Sequence, residues 1–113
     1  MLAAIASELG RFAARFFEKP QSLSDLNLIL KNMFAEIERI SEGKLKFDFS
    51  SELKDELVTE SKCPIHSFYP LWCEEACIPF IESFVKALND RIEVERIEKQ
   101  PGKCRFRFRL KEV

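Results

Sequence analysis

The sequence predicts an α+β fold in which helices pack on an antiparallel sheet of about four strands, in the order α-α-β-β-α-β-β. Three observations lead there. Apolar residues recur at steps of three and four through the N-terminal third, which marks helical faces. From Lys44 the period changes to two, which marks a strand with one buried side. Near the C-terminus, Gln100-Pro101-Gly102 separates two alternating runs, which marks a hairpin with Pro and Gly in the order of a type II turn. A chain of 113 residues is expected to form a single domain, 1–113, made of a helical hairpin (1–43) followed by sheet, Cys-rich loop and helix (44–113).

Leu2, Ile5, Leu9, Phe12 and Phe16 form one stripe of the first helix, with Ala3, Ala6, Ala13 and Ala14 keeping its flanks slim enough for another helix to approach. Lys19-Pro20 ends it, because the residue before a proline is pushed out of helical geometry. The second helix begins at about Ser22 or Ser24, either of which can cap it, with Asp25 near the positive end of its dipole. It repeats the stripe with Leu26, Leu30, Met33, Ile37 and Ile40 and stops at Gly43. Stripes of this kind are read first as core, packed on each other or on a sheet. A dimer seam is the alternative.

In the strand that follows, Leu45, Phe47 and Phe49 point one way while Lys44, Lys46 and Asp48 point the other. Ser50 to Asp55 reads as a polar turn and Glu56 to Ser61 as a second, weaker strand. Pro64, Pro70 and Pro79 then punctuate the centre, so Cys63 to Trp72 is expected to be an ordered loop without regular structure. Beyond it, Cys77, Phe80 or Ile81, Phe84, Val85 and Leu88 line a helix ending near Asn89. Pro79 fits the first turn of that helix, where no backbone donor is lost. A start at Cys73 instead sets two cysteines one turn apart, at the expense of a kink. In the last hairpin, Arg91 to Glu98 and Lys103 to Val113, Cys104, Phe106, Phe108 and Leu110 face inward. Arg105, Arg107 and Arg109 face outward, where Glu93 and Glu95 can pair with them.

Acidic and basic residues nearly cancel, for a formal charge of -1, so the overall field attracts neither nucleic acid nor an anionic membrane. No helix-turn-helix with a basic recognition face is visible. The opening apolar run is interrupted by Glu8, with its Arg residues after the apolar part, unlike a signal peptide. No stretch approaches the length of a membrane span. The reading is a cytoplasmic protein, whose thiols stay reduced.

The stretch around Cys63–Leu88 concentrates the chemistry. It holds the only His, Trp and Tyr and three of the four Cys, spaced C-x2-H-x6-C-x3-C, with Cys104 downstream. Thiolate and imidazole are the preferred ligands of zinc, and a closed tetrahedral site takes four. Cys63, His66, Cys73, Cys77 and Cys104 are one more than that, and their spacing is not that of a standard zinc finger. Plain buried thiols or a disulfide remain the alternatives. Strand alternation puts Cys104 on the inner face with three large apolar residues, where it meets the helix bearing Cys73 and Cys77. An apolar pocket lined by Trp72, Phe80, Phe84, Phe106 and Phe108 is expected beside that site, with solid core as the other reading of the aromatics.

The run from Cys77 to Phe108 resembles the C-terminal signature of the 4-vinyl reductase-type, or hydrocarbon-binding, domain. That signature has a Cys opening a helix, a strand ending in Glu, a short turn and a Cys-Arg-Phe strand. Cys77, Glu95, Cys104, Arg105 and Phe106 match by position, and the Cys63-Pro64 pair is similar to members of the same group. The chain departs from the pattern at Glu82, where the family often has Gly, and at Glu98, where it has a further Cys. The resemblance implies helices against an antiparallel sheet, as in subunits of the TRAPP vesicle-tethering complex. It also implies a dimer, small apolar ligands, and cysteines that hold zinc or respond to redox state.

The expected function is therefore a small-molecule-binding or redox-sensing module with a zinc-binding Cys-rich site beside an apolar pocket. One alternative is a thiol-dependent enzyme, a hydrolase or reductase accessory with Cys63 as nucleophile and His66 as base, although no catalytic residue can be assigned and no third orienting group is evident. The other is a non-catalytic assembly subunit. Expected partners are a second copy and a small apolar ligand.

Overall fold

A computed structural model of the chain describes residues 1–62, 64, 69–100 and 103–111, without the side chains of residues 73, 74 and 98–100. The elements are α1 (Leu2–Ala14), α2 (Leu23–Ile40), β1 (Ser50–Leu53), β2 (Leu57–Lys62), a π-helical turn (Trp72–Ala76) leading directly into α3 (Cys77–Leu88), β3 (Ile92–Gln100) and β4 (Lys103–Leu110). The four strands form one antiparallel sheet in the order β1-β2-β4-β3. This is the α+β architecture that the periodicities predict.

The inner face of the sheet follows from alternation. Leu57, Thr59 and Ser61 of β2 stand opposite Phe108, Phe106 and Cys104 of β4, while Ile92 and Val94 of β3 stand opposite Leu110 and Phe108. Helix α2 covers the β1, β2 and β4 side and α3 covers β3. Leu26, Leu30, Phe84, Val85, Leu88, Leu57, Ile92 and Phe108 are fully buried where these faces meet. The outer face carries a charge ladder: Lys103 and Arg105 lie 3.4 and 3.8 Å from Glu60, Arg107 lies 3.7 Å from Glu56 and 3.4 Å from Glu95, and Lys111 lies 3.1 Å from Glu93. Arg109 also pairs with Glu56.

Helix α2 starts as its sequence requires. The Ser22 side chain accepts a hydrogen bond from the Asp25 N–H at 3.2 Å. At the other end, the Gly43 N–H donates to the Glu38 carbonyl (2.8 Å) and the Glu42 N–H to that of Arg39 (3.1 Å), with Glu42 at φ 56 and Gly43 at φ 79. This is the paired bonding of a Schellman motif, with a glutamate in the left-handed position usually given to glycine.

Three expectations are corrected. The first strand does not occupy 44–49. The burial alternation is real there, with Phe47 buried and Lys44, Lys46 and Asp48 exposed, but Asp48 takes a left-handed φ of 45, which breaks an extended ladder. The strand forms instead at Ser50–Leu53, within the segment read as a turn, and the 44–49 segment is held by Phe34, whose ring lies 4.6 and 5.1 Å from those of Phe47 and Phe49. Helix α1 does not pair with α2 among the described residues; it lies against α3 and the π-helical turn. Its buried face is Ala6, Gly10 and Ala14, while Ile5, Leu9, Phe12 and Phe16 are exposed. A Cβ on Gly10 would stand 2.4 Å from the Phe80 carbonyl oxygen and 2.9 Å from the Phe84 nitrogen, so the two backbones meet there. Last, the irregular loop ends earlier than expected. The Cys77 N–H reaches back five residues to the Trp72 carbonyl. Pro79 has no N–H for the Glu75 carbonyl and its ring crowds that group, and the wider π turn accommodates both effects.

Candidate functional site

Near the end of the β2–β4 register Ser61 stands opposite Cys104, one pair before Lys62 opposite Lys103. At this end of the sheet, α2 and α3 do not approach each other by backbone among the described residues, so side chains must fill the space between them. They do so incompletely. A cavity of about 240 Å³ remains, walled by Met33, Phe34 and Ile37 of α2, by Phe47, by Trp72, Cys77, Phe80 and Ile81 of the π turn and α3, and by Ser61, Cys104 and Phe106 of the sheet.

The walls are almost wholly apolar. Trp72 and Phe80 have ring centroids 5.8 Å apart and Phe80 stacks parallel to Phe84 at 6.2 Å, so one aromatic wall continues into the core. The Arg96 guanidinium lies over the Phe106 ring at 5.7 Å, where a bulge between Arg96 and Glu98 shifts the β3 register. Among the described residues, Ser61, Cys77 and Cys104 stand in this apolar lining. Cys104 is 3 % exposed, and Cys77 is half-buried at the first position of α3.

The sequence-predicted residues divide as follows. Cys77 and Cys104, 27 positions apart in sequence, are brought to one cavity. Cys63 and His66 lie outside the described residues, as does the Cys73 side chain, although the Cys73 backbone is part of the π-helical turn. Among the described residues no group of three or more His, Cys, Asp or Glu side chains is placed to hold a metal ion. Two thiols are half of a tetrahedral zinc set. Of the predicted pocket residues, Trp72, Phe80 and Phe106 line the cavity, while Phe84 and Phe108 sit behind the wall, fully buried in the core.

The α2 wall and Phe47 were not anticipated. Met33 and Ile37 belong to the stripe that the sequence makes plain, and Phe47 to the buried half of an alternating run. What periodicity does not contain is that both face the Cys104 end of the sheet.

A second hollow, of about 320 Å³, runs beside β3. Four acidic side chains, Glu82, Asp90, Glu93 and Glu95, and four basic ones, Lys86, Arg107, Arg109 and Lys111, line it. Five of these eight already pair within the ladder. With no net charge it offers an ion little, so the apolar cavity is the better site.

No family model matches the chain, and no curated protein does.

Proposed function

We propose that this protein is a binding module for a small apolar ligand, held in the cavity between α2, α3 and the Cys104 end of the sheet, with Cys77 and Cys104 as its reactive groups. The observation that carries this reading is the cavity itself, an apolar space with Cys77 and Cys104 among its lining residues. Its size bounds the ligand. An apolar cavity of roughly 150 Å³ holds benzene, so about 240 Å³ suits a compact hydrocarbon of roughly ten heavy atoms and not a long lipid. The resemblance of Cys77–Phe108 to the hydrocarbon-binding domain supports the same ligand class. The reading takes the protein as a homodimer, which the exposed apolar face of α1 supports.

Redox sensing follows from the same geometry. Oxidation of either sulfur would put a polar or bulky group on an apolar wall and compete with the ligand for space. A second reading keeps zinc, supported by Cys77 and Cys104 lining the same cavity; Cys63, His66 or Cys73 would complete the set. Metal bound by thiolates would bring charge to this wall, which argues for placing it at the cavity's edge, toward those residues. The thiol-enzyme alternative rests on Cys63 and His66, which lie outside the described residues.

The test uses isopropylbenzene as probe. Saturating probe is expected to raise the melting temperature, by an amount equivalent to about 2.7 kcal/mol at one hundred times its dissociation constant, and to slow alkylation of Cys77 and Cys104 by iodoacetamide. Cys77→Phe, which fills the cavity, is expected to abolish both effects while leaving a folded protein. A probe that neither stabilises the protein nor protects the thiols sinks the apolar-ligand reading. One zinc per chain by elemental analysis, lost in Cys77→Ser along with thermal stability, would establish the second reading.

A further inference from the structure

The large apolar residues of α1, and Phe16 in the turn that follows it, are turned away from α3. Ile5, Leu9, Phe12 and Phe16 are 50, 46, 55 and 73 % exposed, while Ala6, Gly10 and Ala14 face α3. Their spacing of four, three and four residues is that of the a/d positions of a coiled coil, with Phe16 two residues past the end of α1, where Arg15 still keeps right-handed helical geometry. Phe12 and Phe16 touch edge to face, with centroids 5.2 Å apart. Glu8 and Arg15 stand seven residues apart on one flank of it. Glu8 pairs with Arg11 across one turn, and Arg15 makes no ion pair among the described residues.

We propose that α1 pairs antiparallel with α1 of a second copy of this chain, across a two-fold axis. This rests on the homodimer reading above and is independent of what occupies the cavity. In that register Leu9 packs against Phe12 of the second copy and Ile5 against its Phe16. Glu8 then falls between the same two layers as Arg15 of the second copy, and the symmetry forms this pair twice. Parallel pairing fails on the same residues: it would set Glu8 beside Ala13, on the flank given to α3. Charge complementarity therefore selects both the second copy and its direction.

The area suits a dimer of moderate affinity. With about 200 Å² for a whole phenylalanine, the two rings leave roughly 250 Å² open per copy. Ile5, Leu9 and the fully exposed Met1 bring the paired surface toward the lower limit of about 1,200 Å² for specific interfaces, where micromolar dissociation constants are usual.

Sedimentation equilibrium over about a hundredfold concentration range around micromolar tests the pairing. The wild-type protein is expected to dimerise reversibly and Phe12→Glu to be monomeric, with circular dichroism showing both folded. Glu8→Arg and Arg15→Glu are each expected to weaken the dimer about tenfold, and the double variant to return within about threefold of wild type, because swapped charges still match. A dimer that survives Phe12→Glu places the interface elsewhere and overturns the α1 pairing while the homodimer stands. Failure of the double variant to recover overturns the antiparallel register. A wild-type protein that stays monomeric overturns the homodimer as well, and adsorption of that monomer to phosphatidylcholine vesicles would make lipid the occupant of the stripe.

Discussion

In an exposed helix an alanine in place of Gly10 would add about 1 kcal/mol of stability. Here the sign reverses. The missing Cβ is what lets the α1 backbone reach the Phe80 carbonyl and the Phe84 nitrogen, and both obstacles are main-chain atoms that cannot rotate aside. Gly10→Ala is expected to destabilise by about 3 kcal/mol, at the upper end of overpacking, measured by urea unfolding; a gain would mean that α1 does not dock on α3. The sequence shows small residues beside the apolar stripe and so permits a close helix. It does not show that the small face, and not the large one, turns inward, because hydrophobicity ranks the stripe first and contact distance is not a property of one helix alone.

At the scale of elements, β4 was legible nearly residue by residue. Cys104, Phe106 and Phe108 are buried and Arg105, Arg107 and Arg109 meet acidic neighbours, since two-residue alternation with opposite chemistry on the two faces leaves one orientation. The first strand was displaced because alternation reports which side is buried and not which backbone groups find partners. The Phe47 carbonyl does accept the Lys62 N–H at 2.7 Å, but the chain turns at Asp48 before a ladder can form. Glu56, just before β2, joins the ladder through both Arg107 and Arg109. A double-mutant cycle of Glu56→Gln and Arg109→Gln is expected to give a coupling of about 0.5 kcal/mol, shrinking at high salt as these partly exposed charges are screened. A coupling that is zero at low salt would make the ladder ornamental to stability.

For the whole molecule, the strand order sets where the fold is firm. β4 is bonded on both sides and β2 on both sides, whereas β1 is a four-residue edge with mostly exposed side chains. Short polar edges resist pairing with other chains. Hydrogen exchange is expected to be slowest at amides of β4 and β2 and fastest, among the strands, in β1; equal protection of β1 would contradict this sheet order. The radius of gyration, 13.3 Å, is the value of about 13 Å expected when a chain of this length folds as one body.

Half of the candidate site could be read from the sequence, because a strand's inward face and the first turn of the helix above it bring Cys104 and Cys77 together by local rules. The α2 wall could not, since it depends on how far apart two helices settle on a sheet. Facing the α2 wall across the cavity is the π-helical turn with the chain's single tryptophan, Trp72. Its indole is thus a built-in optical label for this one location: light emitted by it carries no background from any other indole, and occupancy of the space beside it can be followed without attaching a dye.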